Sequence, residues 1–186
     1  MDPMLIEIPD EIETERLTIR VPKAGDGPDV NAAIRQSQDT LSPWLAFAVD
    51  LPSVEESESR CRKARAKFLL REDIILRLYL KGTRTVIGSS GLHFVDWSVP
   101  KFEIGYWVGK AFEGQGYATE AVRAVAAFAL ERLGAQRLEI LVDERNERSC
   151  RIPERCGFTF EGVRRNLRRD HHGHLCNMRV YVRFPA

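Results

Sequence analysis

Between Thr14 and Val21 the apolar residues Leu17, Ile19 and Val21 alternate with Arg16, Thr18 and Arg20. A two-residue period predicts a half-buried strand, because successive strand side chains point to opposite faces. Pro22 and the stretch from Gly25 to Pro28 break it. Asp29 to Gln38 sets Val30, Ala33 and Ile34 on one side of a short helix, followed by a loop from Leu41 to Pro52 that holds Trp44 and Phe47. Ser53 with Glu56 three residues later is a capping box, so a helix is expected from Val54 to near Arg71. Ile74–Leu80 and Thr85–Val95 are rich in branched and aromatic residues and flank Gly82, which predicts an antiparallel hairpin, with Phe102–Val108 as a third adjacent strand.

From Thr119 to Leu133 the apolar positions Val122, Val125, Ala129 and Leu133 recur at helical spacing opposite Glu120, Arg123 and Glu131, and Gly134 is a natural stop. Leu138, Ile140 and Val142 predict the next strand, Asn146 to Arg155 a short helix, and Phe158–Gly162 with Leu175–Phe184 two closing strands. Helices inserted among mostly antiparallel strands, with one strand-helix-strand crossover, indicate a mixed α+β layer. No repeat or linker interrupts it, so residues 1–186 are expected to form a single domain.

Charge and cysteine content narrow the function classes. Lys plus Arg number 28 against 27 Asp plus Glu, a balance without global attraction to nucleic acid or an anionic membrane. No apolar run approaches the roughly 18 residues of a spanning helix, and the first twenty residues lack a basic segment followed by an apolar one. Cys61, Cys150, Cys156 and Cys176 show no CxxC spacing, which fits reduced thiols and a cytoplasmic location. His171, His172, His174 and Cys176 have the chemistry to bind zinc, but around Gly173 they read as a polar hairpin turn, and no metal is expected. Arg164, Arg165, Arg168 and Arg169 read as a solvated basic face.

The chemistry concentrates in the stretch from Phe102 to Glu120, a strand running through a glycine-rich turn into a helix. Gly114 and Gly116 allow a tight turn and close ligand approach, while the first helical N–H groups, near Tyr117 to Glu120, face outward at the positive end of the helix dipole. A pyrophosphate is the natural guest. No Gly-Lys-Ser or Gly-Lys-Thr follows, which excludes a P-loop. A dinucleotide fingerprint fits poorly, since Thr119 holds its third small-residue position and the preceding strands look antiparallel.

Three blocks in this order, Glu103-Ile-Gly-Tyr-Trp-Val108, Gly114-Gln-Gly-Tyr-Ala-Thr-Glu-Ala121, and Asn146-Glu-Arg-Ser149 leading to Cys156-Gly-Phe158, resemble the GNAT acetyltransferases. The likeness is to the branch containing the ribosomal-protein N-terminal acetyltransferases RimJ and RimL. Trp44 in Leu-Ser-Pro-Trp-Leu and the opening Glu15-Arg-Leu-Thr-Ile-Arg20 extend it. The resemblance implies a GNAT-like, mostly antiparallel twisted sheet with flanking helices, acetyl-CoA as cosubstrate, and a homodimer. It places the pantetheine along the strand ending at Tyr106, Trp107 and Val108, and the pyrophosphate on main-chain N–H groups of Glu113, Gly114, Gln115, Gly116, Tyr117, Ala118 and Thr119. Asn146 matches the asparagine that contacts the cofactor arm, and Ser149 lies where a hydroxyl approaches the leaving sulfur. Glu113 departs from the family pattern, which has Arg or Gln there.

An amine attacks a thioester only when neutral. Deprotonating a lysine at pH 7.4 costs about 4 kcal/mol and an α-amine under about 1 kcal/mol, which favours a peptide N-terminus among acceptors that also include small amines. Glu103, sharing a strand face with Gly105 and Trp107, is the expected general base, and Ser149 the expected proton donor to the thiolate. Trp44 is assigned to the acceptor pocket. The rival reading is a catalytically idle acyl-CoA-binding module, suggested by Glu113, by Pro153 inside the short helix, and by the lack of an evident tyrosine acid near Ser149. Cys150 and Cys156, with no histidine nearby in sequence, read as packing rather than nucleophiles.

Overall fold

The computed structural model describes residues 2–185. Its strands are β1 (Glu11–Glu13), β2 (Leu17–Arg20), β3 (Ile74–Leu80), β4 (Val86–Asp96), β5 (Lys101–Val108), β6 (Arg137–Asp143), β7 (Thr159–Arg169) and β8 (Leu175–Arg183). The helices are α1 (Gly27–Gln36), α2 (Gln38–Leu41), α3 (Val54–Leu69), α4 (Tyr117–Glu131) and α5 (Glu147–Arg155). One sheet runs in the order β1-β2-β3-β4-β5-β6-β8-β7, antiparallel throughout except for β5 beside β6. Helix α4 makes the crossover that this parallel pair requires.

Val122, Val125, Ala126 and Ala129 of α4 pack on Leu17, Ile19, Leu76, Ile104 and Leu138 of the sheet. A second apolar cluster joins Val30 and Ile34 of α1 and Cys61 of α3 to Tyr79, Val86 and Trp107. The capping box at Ser53 forms as expected, with Ser53 Oγ accepting from the Glu56 N–H and the Glu56 carboxylate accepting from the Ser53 N–H.

Two expectations at the sheet edges need correction. The first predicted strand shortens to Leu17–Arg20 and gains the unforeseen β1 as its partner, because the charged Glu11-Ile-Glu13 has no alternation long enough to register. The strand expected to stop at Gly162 runs on to Arg169. Its arginines are exposed, as expected of a solvated face, and two of them also carry ion pairs, Arg164 with Glu139 at 3.3 Å and Arg168 with Glu103 at 3.0 Å. Every residue of β7 except Gly162 is exposed, so hydrophobic patterning could not mark it; pairing with β8 defines it.

Asp26, at the start of α1, is largely buried and accepts two 2.8 Å bonds from the Arg20 guanidinium. Burial alone would raise its pKa, but bonds from Arg20 and the Lys23 N–H hold it below the usual carboxylate value. A depressed carboxylate stabilises the fold above its unfolded pKa, near 3.9, and that contribution is lost as pH falls through the folded value. Asp26→Asn should therefore cost about 3 kcal/mol at pH 7, the scale for breaking a buried pair. In urea titrations the gap to the parent chain should narrow progressively below pH 4; a gap unchanged at pH 3 would exclude this linkage.

Candidate active site

Strands β5 and β6 pair only from Lys101 to Glu103. Beyond Glu103, β5 stays bonded to β4 as far as Val108 but, among the described residues, no strand pairs with it on its other side. Its unpaired edge opens into a cleft of about 1110 Å³. An edge of this kind can bond an extended, amide-bearing chain as a further strand would.

The N-terminus of α4 forms the second wall. Gly114 and Gly116 have φ of 74° and 85°, the left-handed region that favours glycine, and so turn the chain into the helix. The first helical bond runs from the Glu120 N–H to the Gly116 carbonyl, leaving the N–H groups of Tyr117, Ala118 and Thr119 ahead of the ladder. This is a ready anion site. The turn is fastened from outside: Arg16 donates to the Gln115 carbonyl at 2.9 Å and to the Glu120 carboxylate at 2.7 Å, with its guanidinium 4.4 Å from the Tyr117 ring centre. Thr14 Oγ1 completes the clamp with a 2.6 Å bond to Glu120.

Helix α5 supplies the third wall. Asn146 caps it, Oδ1 accepting from the Ser149 N–H at 3.1 Å, while its amide protons make no bond among the described residues. Pro153 lacks the N–H that would reach the carbonyl four residues earlier, that of Ser149. The Tyr106 hydroxyl fills that vacancy, 3.1 Å from the Ser149 carbonyl and 3.0 Å from Ser149 Oγ. A proline that weakens a helix in sequence thus builds a two-hydroxyl pair at the cleft.

A family model described as "Acetyltransferase (GNAT) domain" matches residues 16–159. The protein named "Putative ribosomal N-acetyltransferase YdaF" of Bacillus subtilis (strain 168) is 35% identical over 153 residues, covering 82% of each chain. The chain belongs to the GNAT acetyltransferases. Among solved structures, one described as "Probable acetyltransferase" is 31% identical with TM-score 0.86, covering 94% of this chain and 96% of that one. RimL, the ribosomal L7/L12 alpha-N-protein acetyltransferase, in complex with coenzyme A, shares the fold at TM-score 0.87 and 18% identity, covering 94% and 98%.

Within this GNAT fold every residue expected to act lines the cleft except Gln115. Its side chain turns back to donate to the Ala111 carbonyl at 2.9 Å, and its own carbonyl is held by Arg16, so it shapes the turn from behind. Trp44, 41% exposed, belongs to the cleft's lining, on the loop after α2. Glu103 does share a face with Gly105 and Trp107, but its carboxylate accepts from Arg168 of β7 at 3.0 Å. Glu113 is matched by Arg148 at 2.8 Å, which places a cation beside the turn.

Four residues take roles that were not foreseen. Tyr106 stands beside Ser149 although 43 residues separate them, which corrects the expectation that no tyrosine lies near. Arg145 links Asp143 at 2.7 Å to Asp170 at 3.2 Å and donates to Cys176 Sγ at 3.0 Å, tying the end of β6 to the β7–β8 turn. Arg16 and Glu120 fix the glycine turn, and only their place in family-like blocks could have marked them. Cys150 and Cys156 are buried, and burial raises both thiols' pKa, which suits packing rather than attack. Among the described residues no group of three His, Cys, Asp or Glu side chains is placed to hold a metal ion, and no helix is long and apolar enough to cross a membrane.

Proposed function

We propose that this acetyltransferase takes its acetyl group from acetyl-CoA and passes it to a primary amine, foremost a protein N-terminal α-amine, by direct attack in a ternary complex. The observation that carries the reading is the Tyr106–Ser149 hydroxyl pair, set in one cleft with the unpaired β5 edge and the free N–H groups of α4. These residues fit acetyl-CoA in sequence along the cleft. The edge from Ile104 to Val108 suits the pantetheine amides, and the N–H groups of Tyr117 to Thr119 suit the pyrophosphate. Ser149 Oγ and Tyr106 Oη stand ready to protonate the departing thiolate.

Glu103 lies at the acceptor end of the β5 edge. Its charge attracts an ammonium group, and Arg168 keeps the carboxylate in place. An α-amine needs little help to lose its proton, so a cleft without a strong base serves it better than lysine. The relative named a putative ribosomal N-acetyltransferase, 35% identical, supports a protein acceptor. The three features that suggested an idle binding module speak for catalysis instead. Arg148 offsets Glu113, Pro153 frees a carbonyl for Tyr106, and Tyr106 is the hydroxyl that sequence did not reveal beside Ser149.

The test is acetyl transfer from acetyl-CoA to α-amine peptides, lysine peptides, polyamines and aminoglycosides, with products read by mass spectrometry. Acetylated peptide N-termini support the proposal; product confined to another amine class moves the acceptor, and bound acetyl-CoA with no product anywhere restores the idle module.

Arg148 stands beside the pyrophosphate turn through its pair with Glu113, but it is three-quarters exposed, so its contribution is screened. Arg148→Ala should raise the KM for acetyl-CoA about fivefold, equivalent to about 1 kcal/mol of a screened charged hydrogen bond, with kcat little changed. Initial rates at varied acetyl-CoA check this, and an unchanged KM would remove Arg148 from the phosphate site.

A further inference from the structure

His93 of β4 is the cross-strand partner of Glu103 and is not used by the chemistry above. Its ring lies against a facing pair of glycines, Gly91 of β4 and Gly105 of β5. A methyl group on Gly105 would lie 3.0 Å from the ring's Cδ2 and Nε2, and one on Gly91 3.3 Å from Cε1. Two side-chain-free positions therefore make a seat for the imidazole. Nδ1 lies 2.7 Å from Oδ1 of Asp73, on the connection between α3 and β3.

A carboxylate at Nδ1 fixes the proton there and leaves the Nε2 lone pair free. That nitrogen rests over Gly105, which lines the cleft, on the face of β5 that also carries Glu103. The side chain is 30% exposed, so water reaches it. The charged groups facing the ring are Asp73 and Glu103, the latter already paired with Arg168 of β7. The Glu103 carboxylate already accepts from the Arg168 guanidinium, whereas an imidazole whose Nδ1 is held by a carboxylate presents its Nε2 as an acceptor.

We propose that His93, oriented by Asp73, accepts through one water the proton that the acceptor's ammonium loses, while Glu103 holds that ammonium in place. The proposal rests on the acetyl-transfer reading. The ammonium proton passes to the water, whose own proton moves to His93 Nε2. The neutral nitrogen then bonds to the thioester carbon, and the C–S bond breaks. The sulfur's electron pair takes a proton from the Ser149–Tyr106 pair, which is replenished by the second proton leaving the acylated nitrogen. His93 returns its proton to solvent, so one proton is released per acetyl group transferred.

The experiment compares the whole chain with His93→Gln, His93→Gly, Asp73→Asn and Glu103→Gln on an amine the parent acetylates. The acetyl-CoA affinity of each is measured by calorimetry. His93→Gln should lower kcat about a hundredfold, the lower range for a general base, with acetyl-CoA affinity unchanged. It should also remove the acid limb of the kcat–pH profile, which for an imidazole base falls between pH 5 and 8. Imidazole in the buffer should restore turnover to His93→Gly, an effect that a purely structural role would not give. Asp73→Asn should lower kcat and keep the limb, and Glu103→Gln should raise the amine KM and keep the limb. The proposal is overturned if His93→Gln keeps the parent rate and limb, if the limb is lost with Glu103→Gln instead, or if imidazole fails to rescue a folded His93→Gly. A parent chain that acetylates no amine removes the acetyl-transfer reading itself, an outcome seen before any variant is compared.

Discussion

A chain carrying both Tyr106→Phe and Ser149→Ala should turn over about a hundredfold more slowly than the parent, while each single variant loses only about fivefold. General acid catalysis contributes roughly 10² to 10⁴ in rate, and a thiol with pKa near 8.5 leaves fairly easily, so the lower end applies. The single variants are mild because the two oxygens are 3.0 Å apart and either hydroxyl can serve the sulfur when the other is absent. Burial pushes the Tyr106 phenol well above its ordinary value, so it keeps its proton at any pH used for assay. The loss should therefore fall on kcat with the KM for acetyl-CoA unchanged, the signature of an interaction used only in the transition state. Steady-state kinetics on a preferred amine decide the matter; single losses that multiply to the double would show two independent roles instead of one shared donor.

Gly88→Ala should destabilise the fold by about 3 kcal/mol, at the upper end for an overpacked site. Gly88 faces Val108 across β4 and β5, and a methyl group there would stand 2.2 Å from the Trp107 carbonyl oxygen and 3.1 Å from the Val108 Cα. Those atoms belong to backbone, so no side-chain rotation relieves the clash; the strands must separate. Because Tyr106 to Val108 form the cleft's unpaired edge, the affinity for acetyl-CoA should fall together with stability. Gly162→Ala, where no atom lies within 4 Å of the added methyl, is the control and should stay within about 0.5 kcal/mol. Chemical denaturation alongside calorimetric titration of acetyl-CoA gives both quantities, and a stable Gly88→Ala chain would mean that the two strands yield more easily than paired backbone should.

Much of the scaffold is legible in sequence where each residue reports on its own surroundings. The alternation in Leu17–Arg20 and the helical spacing of Val122, Val125 and Ala129 both reflect one face buried and one exposed. The capping box at Ser53 is equally local, since both of its bonds close within three residues. β7 was read only as far as Gly162, because its side chains are almost all exposed and backbone pairing with β8 defines the rest.

The candidate site divides along the same line. The order of the glycine turn, the strand before it and the helix after it marked the family and the free N–H groups of the turn, because these follow from neighbours along the chain. Only the tertiary structure decided what lies across the cleft: Tyr106 against Ser149, Arg148 against Glu113, Arg168 against Glu103, and His93 over the Gly91–Gly105 pair. Those contacts join residues 35 to 65 positions apart in the three cleft pairs, and sit on strands whose divergence after Glu103 no local pattern records. Backbone periodicity reports burial, whereas a proton donor, a charge partner or a seat for an imidazole exists only once separate segments have packed together.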